Sequence, residues 1–376
     1  MSFKPSKHFV LATIPSFGHI RAESGIVCEL IKADPHLIFT ILVAKFTIPL
    51  FSKEILGRLL SEADLSRIKI VGIGQAMPPT EEMAKNWLGN LLDAEKLEFR
   101  EAYRLLSDRK SLTCTQSGVV YNYNDVPAPC TVSADFFAPE LGPFVKDTTP
   151  AVKVIGSPCA YNEKDTSRHA DAAIACTTSS FQPHATKALR EWYEESLSKR
   201  LFAVGPQVPL SAIPSGLYKA PVVAAAGSPF HPIFTFLDAQ PVKSVIFISF
   251  GSVFYPTQEW QVETMYKTLL ETRTPFIASK SSATFKPLST ELDDKIKQSG
   301  LGTFVDFVPQ REILGHPSMG SFLMHGGNNS LWESILSGVL NIFWSIIGDQ
   351  VDHSAYMSEV LDCSWELIQV RTGEGS

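Results

Sequence analysis

The stretch that leaves the chain least freedom is Gly320–Ser334, where a strand, a glycine-rich turn and a helix follow one another directly. Ser321-Phe322-Leu323-Met324 is a short apolar run of the kind buried in a parallel sheet. His325-Gly326-Gly327-Asn328-Asn329-Ser330 makes the turn. Glycine lets the main chain approach a ligand closely, and asparagine is a favoured helix N-cap. Leu331-Trp332-Glu333-Ser334-Ile335-Leu336 continues as a helix with Gly338 as its stop. The N-terminus of such a helix carries free N–H groups and a positive dipole end, which suit an anion such as a diphosphate. His325 stands just ahead of it and can donate a hydrogen bond to a phosphate oxygen. Asn329 and Glu333 are one helical turn apart and share a face, beside the phosphate position, where sugar hydroxyls can be held.

Strands and helices alternate in the same way along the rest of the chain. Residues 8–14, Leu37–Val43 and Ile68–Ile73 read as strands, with helices over 20–33 and 47–61 between them. Glu81–Leu106 is charged and helix-prone. Val119–Tyr121, Pro129–Ala134, Ala151–Ile155 and Ala172–Cys176 are further strand candidates. Residues 203–232 are rich in Pro, Gly, Ser and Ala and read as the linker of the chain. The pattern then restarts. Val245–Phe250, Phe276–Ala278, Thr303–Phe307, Ser321–Met324 and Asn341–Trp344 are strands, with helices near 257–271, 289–298, 328–337 and 350–361. The prediction is α/β: two doubly wound, Rossmann-like domains with a ligand at the C-terminal ends of the strands.

The motifs carry a resemblance. From Phe307 to Gln350 the chain resembles the signature box of the UDP-dependent glycosyltransferases of plant and fungal secondary metabolism. Pro309, Gln310, His316, His325, Gly327, Asn329, Ser330, Glu333, Gly338, Trp344, Asp349 and Gln350 all stand at the family spacing. Phe236-Leu237-Asp238-Ala239-Gln240-Pro241 followed by SVIFISFGS, and Val204-Gly205-Pro206, are similar to further family segments. There are departures: Phe307 and Asn328 stand where the family has tryptophans, and Leu340 and Ser345 where it has prolines. The resemblance implies the inverting GT-B fold, with an acceptor-binding domain over 1–204, a linker over 205–235 and a UDP-sugar-binding domain over 236–376. The family continues past Arg371-Thr372-Gly373-Glu374-Gly375, so the chain reads as C-terminally truncated and its second domain as incomplete.

Two residues of the first half are candidates for the chemistry. His19 lies on the first strand–helix turn, where a neutral imidazole can serve as general base; it can equally cap the following helix. Asp135 ends the strand Thr131-Val132-Ser133-Ala134 and can orient an imidazole and stabilise its cation, or cap a helix after Phe136. Asp125 is a rival to it. By resemblance, His19 deprotonates the acceptor hydroxyl and Asp135 orients it. Phe307 stacks on uracil, Gln310 meets the base and Glu333 the ribose. His325 and Ser330 hold the diphosphate, with Gly327 clearing space. Asn329, Asp349 and Gln350 meet phosphate or donor sugar. Ser252, after the buried strand ending at Phe250, is placed for phosphate or for a simple turn.

Composition narrows the partners. Charge is 33 − 39 = −6 with no Lys/Arg block, which argues against nucleic acid and anionic membranes. The six cysteines show no paired spacing, so a zinc site or disulfide framework is not expected and a cytoplasmic location is. No run long enough to span a bilayer occurs. There is no P-loop and no H-E-x-x-H. Ser318, in His316-x-Ser318-x-Gly320, falls short of a nucleophile elbow. No D-x-D motif points to a divalent cation, so no cofactor or metal is expected beyond the UDP-sugar itself. The reading is a monomeric hexosyltransferase, with glucose moved from UDP to a hydroxyl of a small lipophilic acceptor. Alternatives are a sterol or lipid glycosyltransferase on the same fold and a catalytically silent UDP-binding fragment.

Overall fold

The computed structural model describes residues 7–12, 17–58, 60–73, 112–113, 120–121, 129–135, 172–208, 226–252, 255–282, 284–346 and 348–370. The helix expected over Glu81–Leu106, the strand expected over Ala151–Ile155, Asp125 and most of the expected linker lie outside them. The chain divides into two compact units, Met1–Gln207 and Val208–Ser376.

The first unit is built on β1 (Lys7–Ala12), β2 (Leu37–Ala44), β3 (Ile68–Ile73), β4 (Leu112–Thr113), β5 (Val120–Tyr121), β6 (Pro129–Asp135), β7 (Ala172–Ala175) and β8 (Arg200–Ala203). Six of them form one sheet in the order β3-β2-β1-β6-β7-β8, every adjacent pair parallel. With β4 and β5 set aside, the order is third-second-first-fourth-fifth-sixth, the doubly wound order, whose switch point lies between β1 and β6. β4 and β5 stand apart as a small antiparallel pair. β2 is buried along its whole length, as its run LIFTILVA requires of a strand covered on both faces. Its Phe39 stacks on Phe9 with ring centroids 5.3 Å apart. α1 (Phe17–Ala33) lays Ile20, Val27 and Ile31 into this core beside Phe51 and Ile55 of α2 (Ile48–Leu56). After α3 (Glu62–Leu65), Arg67 reaches back to the carbonyls of Ile31 at 2.7 Å and Asp34 at 2.8 Å. A cation there satisfies the open end of α1 and fixes the helix that carries His19 at its other end. α4 (Pro183–Leu197) packs on β8 and completes the unit.

The second unit opens with α5 (His231–Asp238), so the end of the expected 205–235 linker is already helical. Its sheet comprises β9 (Val245–Ser249), β10 (Phe276–Ser279), β11 (Gly302–Val305), β12 (Met319–Met324), β13 (Leu340–Phe343) and β14 (Ser364–Glu366). The order is β11-β10-β9-β12-β13-β14, again all parallel, with the reversal between β9 and β12. α6 (Glu259–Glu271), α7 (Thr290–Ser299), α8 (Gln310–Leu314), α9 (Asn328–Ser337) and α10 (Asp349–Ala355) connect the strands. Phe250, Tyr255, Tyr266, Phe276 and Trp344 form the core, in which Phe250 meets Tyr255 and Trp344 edge-to-face. Each such ring buried stabilises the fold by about 1.5–3 kcal/mol. β14 closes one edge with Trp365 exposed.

Candidate functional site

In the first unit, α1 begins at Phe17 and His19 sits in its first turn. Both ring nitrogens of His19 are buried, although the residue as a whole is partly exposed. Burial lowers its pKa to about 4, so the ring is neutral at pH 7. Asp135 is the last residue of β6. Phe9 and Val10 are level with Cys130 and Thr131, so, continuing that register, Asp135 lies beyond the end of β1 at the C-terminal edge. The backbone thus puts His19 and Asp135 at the switch point of the first sheet. The side chain of Asp135 lies outside the described residues.

The second unit presents its turn at the equivalent place. β9 runs into Gly251, at φ +78°, and exposed Ser252. β12 runs into His325, Gly326 and Gly327, and α9 starts at once. The His325 ring fills the space between the two loops. A Cβ on Gly251 would lie 2.8 Å from its Nε2, and one on Gly327 would lie 2.5 Å from the same atom. Glycine is therefore required at both positions if the ring is to stay. This also explains the N-cap: Gly327, not an asparagine, caps α9, in an extended conformation and with no side-chain cap bond. The first N–H groups of α9 are left to other partners. Burial lowers the His325 pKa to about 4; the Ser249 main chain acts the other way and the charge of His353 adds to the lowering. His325 is neutral at pH 7, and its N–H is donated to the Ser249 main-chain carbonyl.

A second group of residues gathers one turn further along α9. Gln310, first residue of α8, donates from Nε2 to Glu333 Oε2 at 2.7 Å and to Ser330 Oγ at 3.2 Å. Glu333 is 2% exposed, and Arg311 Nε stands 3.9 Å from its other oxygen. A buried carboxylate needs such company. Arg311 was not a sequence candidate; its one signal is a cation directly after Gln310. Phe307, just past β11 at the sheet edge, is 58% exposed. Asn329 is half-buried on the first turn of α9. Its neighbour Asn328 turns its side chain back along the helix to accept from Trp332 Nε1 at 3.0 Å.

α10 backs the turn. Burial raises the pKa of Asp349 above the usual carboxylate range, opposed by the charge of His353 and by a bond from the Asn328 main chain. Gln350 accepts from the Ile346 N–H at 3.0 Å through Oε1, while its carbonyl takes the Ser345 hydroxyl at 3.1 Å. Gln350 thus shapes the loop ahead of α10. His353 donates from Nδ1 to the Gly326 carbonyl at 2.9 Å, a contact that no sequence spacing announced. Two motif residues are structural. Trp344 is 1% exposed in the core. His316 accepts the Ser318 N–H at Nδ1, 3.2 Å, and so carries its proton on Nε2, 3.1 Å from Asp238. Ser318 is buried and is no surface nucleophile. Among the described residues no cluster of three metal-ligating side chains occurs, and no helix is long and apolar enough to cross a membrane.

The family model described as UDP-glucoronosyl and UDP-glucosyl transferase matches residues 208–369. UDP-glycosyltransferase eriJ of Hericium erinaceus is 32% identical over 214 residues, covering 55% of this chain and 41% of that one. A 7-deoxyloganetic acid glucosyltransferase of Catharanthus roseus is 37% identical over 131 residues, 33% of this chain and 26% of that one. The matches thus span less than half the length of these relatives. The crystal structure of Medicago truncatula UGT71G1 with UDP-glucose shares the fold, with a TM-score of 0.71 and 19% identity, over 98% of this chain and 86% of that one.

Proposed function

We propose that this chain, which belongs through residues 208–369 to the UDP-glucoronosyl and UDP-glucosyl transferase family and has the GT-B fold, transfers glucose from UDP-glucose to a hydroxyl of a small lipophilic acceptor. The observation that carries the reading is the double cluster of the second unit. A neutral histidine stands between two obligatory glycines at the head of α9, and Gln310, Ser330 and Glu333 stand together one turn on. The first suits a diphosphate and the second a ribose. Glu333 accepts from the ribose hydroxyls, and Gln310, drawn to Glu333, serves the same sugar as well as the base edge. Phe307, largely exposed, stacks on uracil. Ser252, Ser330 and the N–H groups around Gly327 receive the phosphates, with the His325 ring packed behind them; Asn329, Asp349 and Gln350 border the hexose.

In the reaction, the acceptor oxygen attacks the anomeric carbon from the face opposite UDP. Its proton passes to His19, whose cation Asp135 stabilises. The bond from the anomeric carbon to the diphosphate oxygen breaks, and the configuration inverts. The charge that develops on UDP is met by the N–H groups of the α9 N-terminus, with the neutral His325 ring packed behind them. No divalent cation is called for. We place the protein in the cytoplasm, in line with its unpaired cysteine spacing.

The test is UDP release from UDP-glucose with and without a panel of phenols, flavonoids, sterols and sphingoid lipids, beside a UDP titration. Acceptor-dependent release supports the proposal. UDP binding without release for any acceptor leaves a silent nucleotide-binding protein, and absence of UDP binding rejects the reading.

A further inference from the structure

We infer that His353 is the positioning residue of the phosphate turn: its bond to the Gly326 carbonyl sets the orientation of the Gly326–Gly327 peptide and aims the Gly327 N–H at the diphosphate. The inference rests on the UDP-sugar reading of this site.

His353 lies on α10, 4% exposed, with Nδ1 2.9 Å from the Gly326 oxygen. A carbonyl only accepts, so Nδ1 carries the proton and the tautomer is settled. The peptide it holds is flanked by glycine on both sides, and Gly326 is at φ +93°. A Gly–Gly peptide has no Cβ to set its orientation and can flip at little cost. An outside hydrogen bond must therefore choose between its orientations. In a planar trans peptide the C=O and N–H point in opposite directions. With the Gly326 oxygen drawn toward α10, the Gly327 N–H points away from α10, out of the turn, where the phosphate is placed.

α10 grips the turn at a second point. The Asp349 carboxylate, 3.7 Å from His353 Nδ1, also takes a bond from the Asn328 main chain. The carbonyl before the helix and the N–H at its first residue are thus both tied to one element. Between these ties only the Gly327 peptide N–H is presented to the ligand with an imposed direction.

The experiment titrates UDP and uridine separately into the full chain and into two variants. His353→Asn keeps an amide donor for the carbonyl. His353→Leu has nearly the same shape and no donor. The expected result is that His353→Leu weakens UDP by at least about tenfold, the size of a lost hydrogen bond to a charged group. Uridine, which has no phosphate, should bind as before, and His353→Asn should retain most of the UDP affinity. Equal losses for UDP and uridine in His353→Leu would show a general structural role and overturn the inference, as would unchanged UDP affinity. Should His353→Leu fail to fold, His353→Ala carries the same comparison. An unaltered chain that binds no UDP refutes the donor reading itself, which separates the two failures.

Discussion

His19 and His325 have the same burial and the same lowered pKa, about 4, yet the two proposed tasks differ. For His325 the neutral form is what is wanted, because it donates one hydrogen bond without needing a counter-charge. For His19 a pKa near 4 makes a weak base, and a carboxylate must raise it when the acceptor is bound. That is the work assigned to Asp135. His19→Ala should keep UDP affinity and lower transfer by about 10²–10⁴-fold; single-turnover measurement at saturating donor reads it, and full activity would remove His19 from the chemistry. Glu333→Ala should raise the UDP dissociation constant by about tenfold or more, the cost of a charged hydrogen bond of roughly 1.5–3 kcal/mol. Because Glu333 also holds Gln310, the loss should exceed that of Gln310→Ala in the same titration. At this scale the sequence was legible where spacing along one element suffices: Asn329 and Glu333 share a helix face whatever the fold. Arg311 and His353 were not legible, because each matters through a partner 22 or 27 residues away on another element.

Elements were legible where apolar runs or turn chemistry marked them, and length alone did not suffice: the fifteen-residue, largely polar α4 was not foreseen. α9 and its Gly338 stop follow directly from the turn chemistry, and β9, β10 and β12 from buried runs. β8 and α8 escaped because four or five residues with mixed burial show no period. The expected Asn N-cap gave way to Gly327 because the His325 ring, two residues back in the same turn, occupies the space a side chain would need. This gives a prediction for the loop after β9: Gly251→Ala should displace His325 and, with φ at +78°, strain the backbone as well. UDP affinity and thermal stability should fall together by an amount of order 1–3 kcal/mol. An alanine variant with wild-type UDP affinity would show that the ring position is unimportant. The α9 N-terminus yields a second prediction. If the helix end carries the leaving-group charge, excess EDTA should leave UDP release unchanged. Loss of activity with EDTA and its return with Mg²⁺ or Mn²⁺ would transfer that role to a cation.

Across the whole molecule, two sheets with the same strand order each place a buried histidine at the switch point, and this couples the proposed function to acid stability. The alternation of strands and helices foretold both sheets, but not that each would desolvate an imidazole there. Unfolding returns these rings to a pKa of 6.5. Between pH 6.5 and about 4 the unfolded chain binds protons that the folded chain refuses, so stability rises with pH and is lost as pH falls through 6.5. Each ring contributes at most about 1.4 kcal/mol per pH unit in that window. In the second unit the raised pKa values of Asp349 and Asp352 oppose this, since a carboxyl protonated more readily when folded gains stability on acidification. The surface carboxylates with lowered pKa, Asp64, Glu263 and Glu291, act only below their ordinary range of about 4. The first unit should therefore lose stability first between pH 6.5 and 4.5. Limited proteolysis across that range, with fragments assigned to residues on either side of Gln207, reads the order of opening. His19→Ala should flatten the pH dependence of the first unit alone. Equal protection of both units down to pH 4.5, with no change in the variant, would show that His19 is not held neutral by the fold.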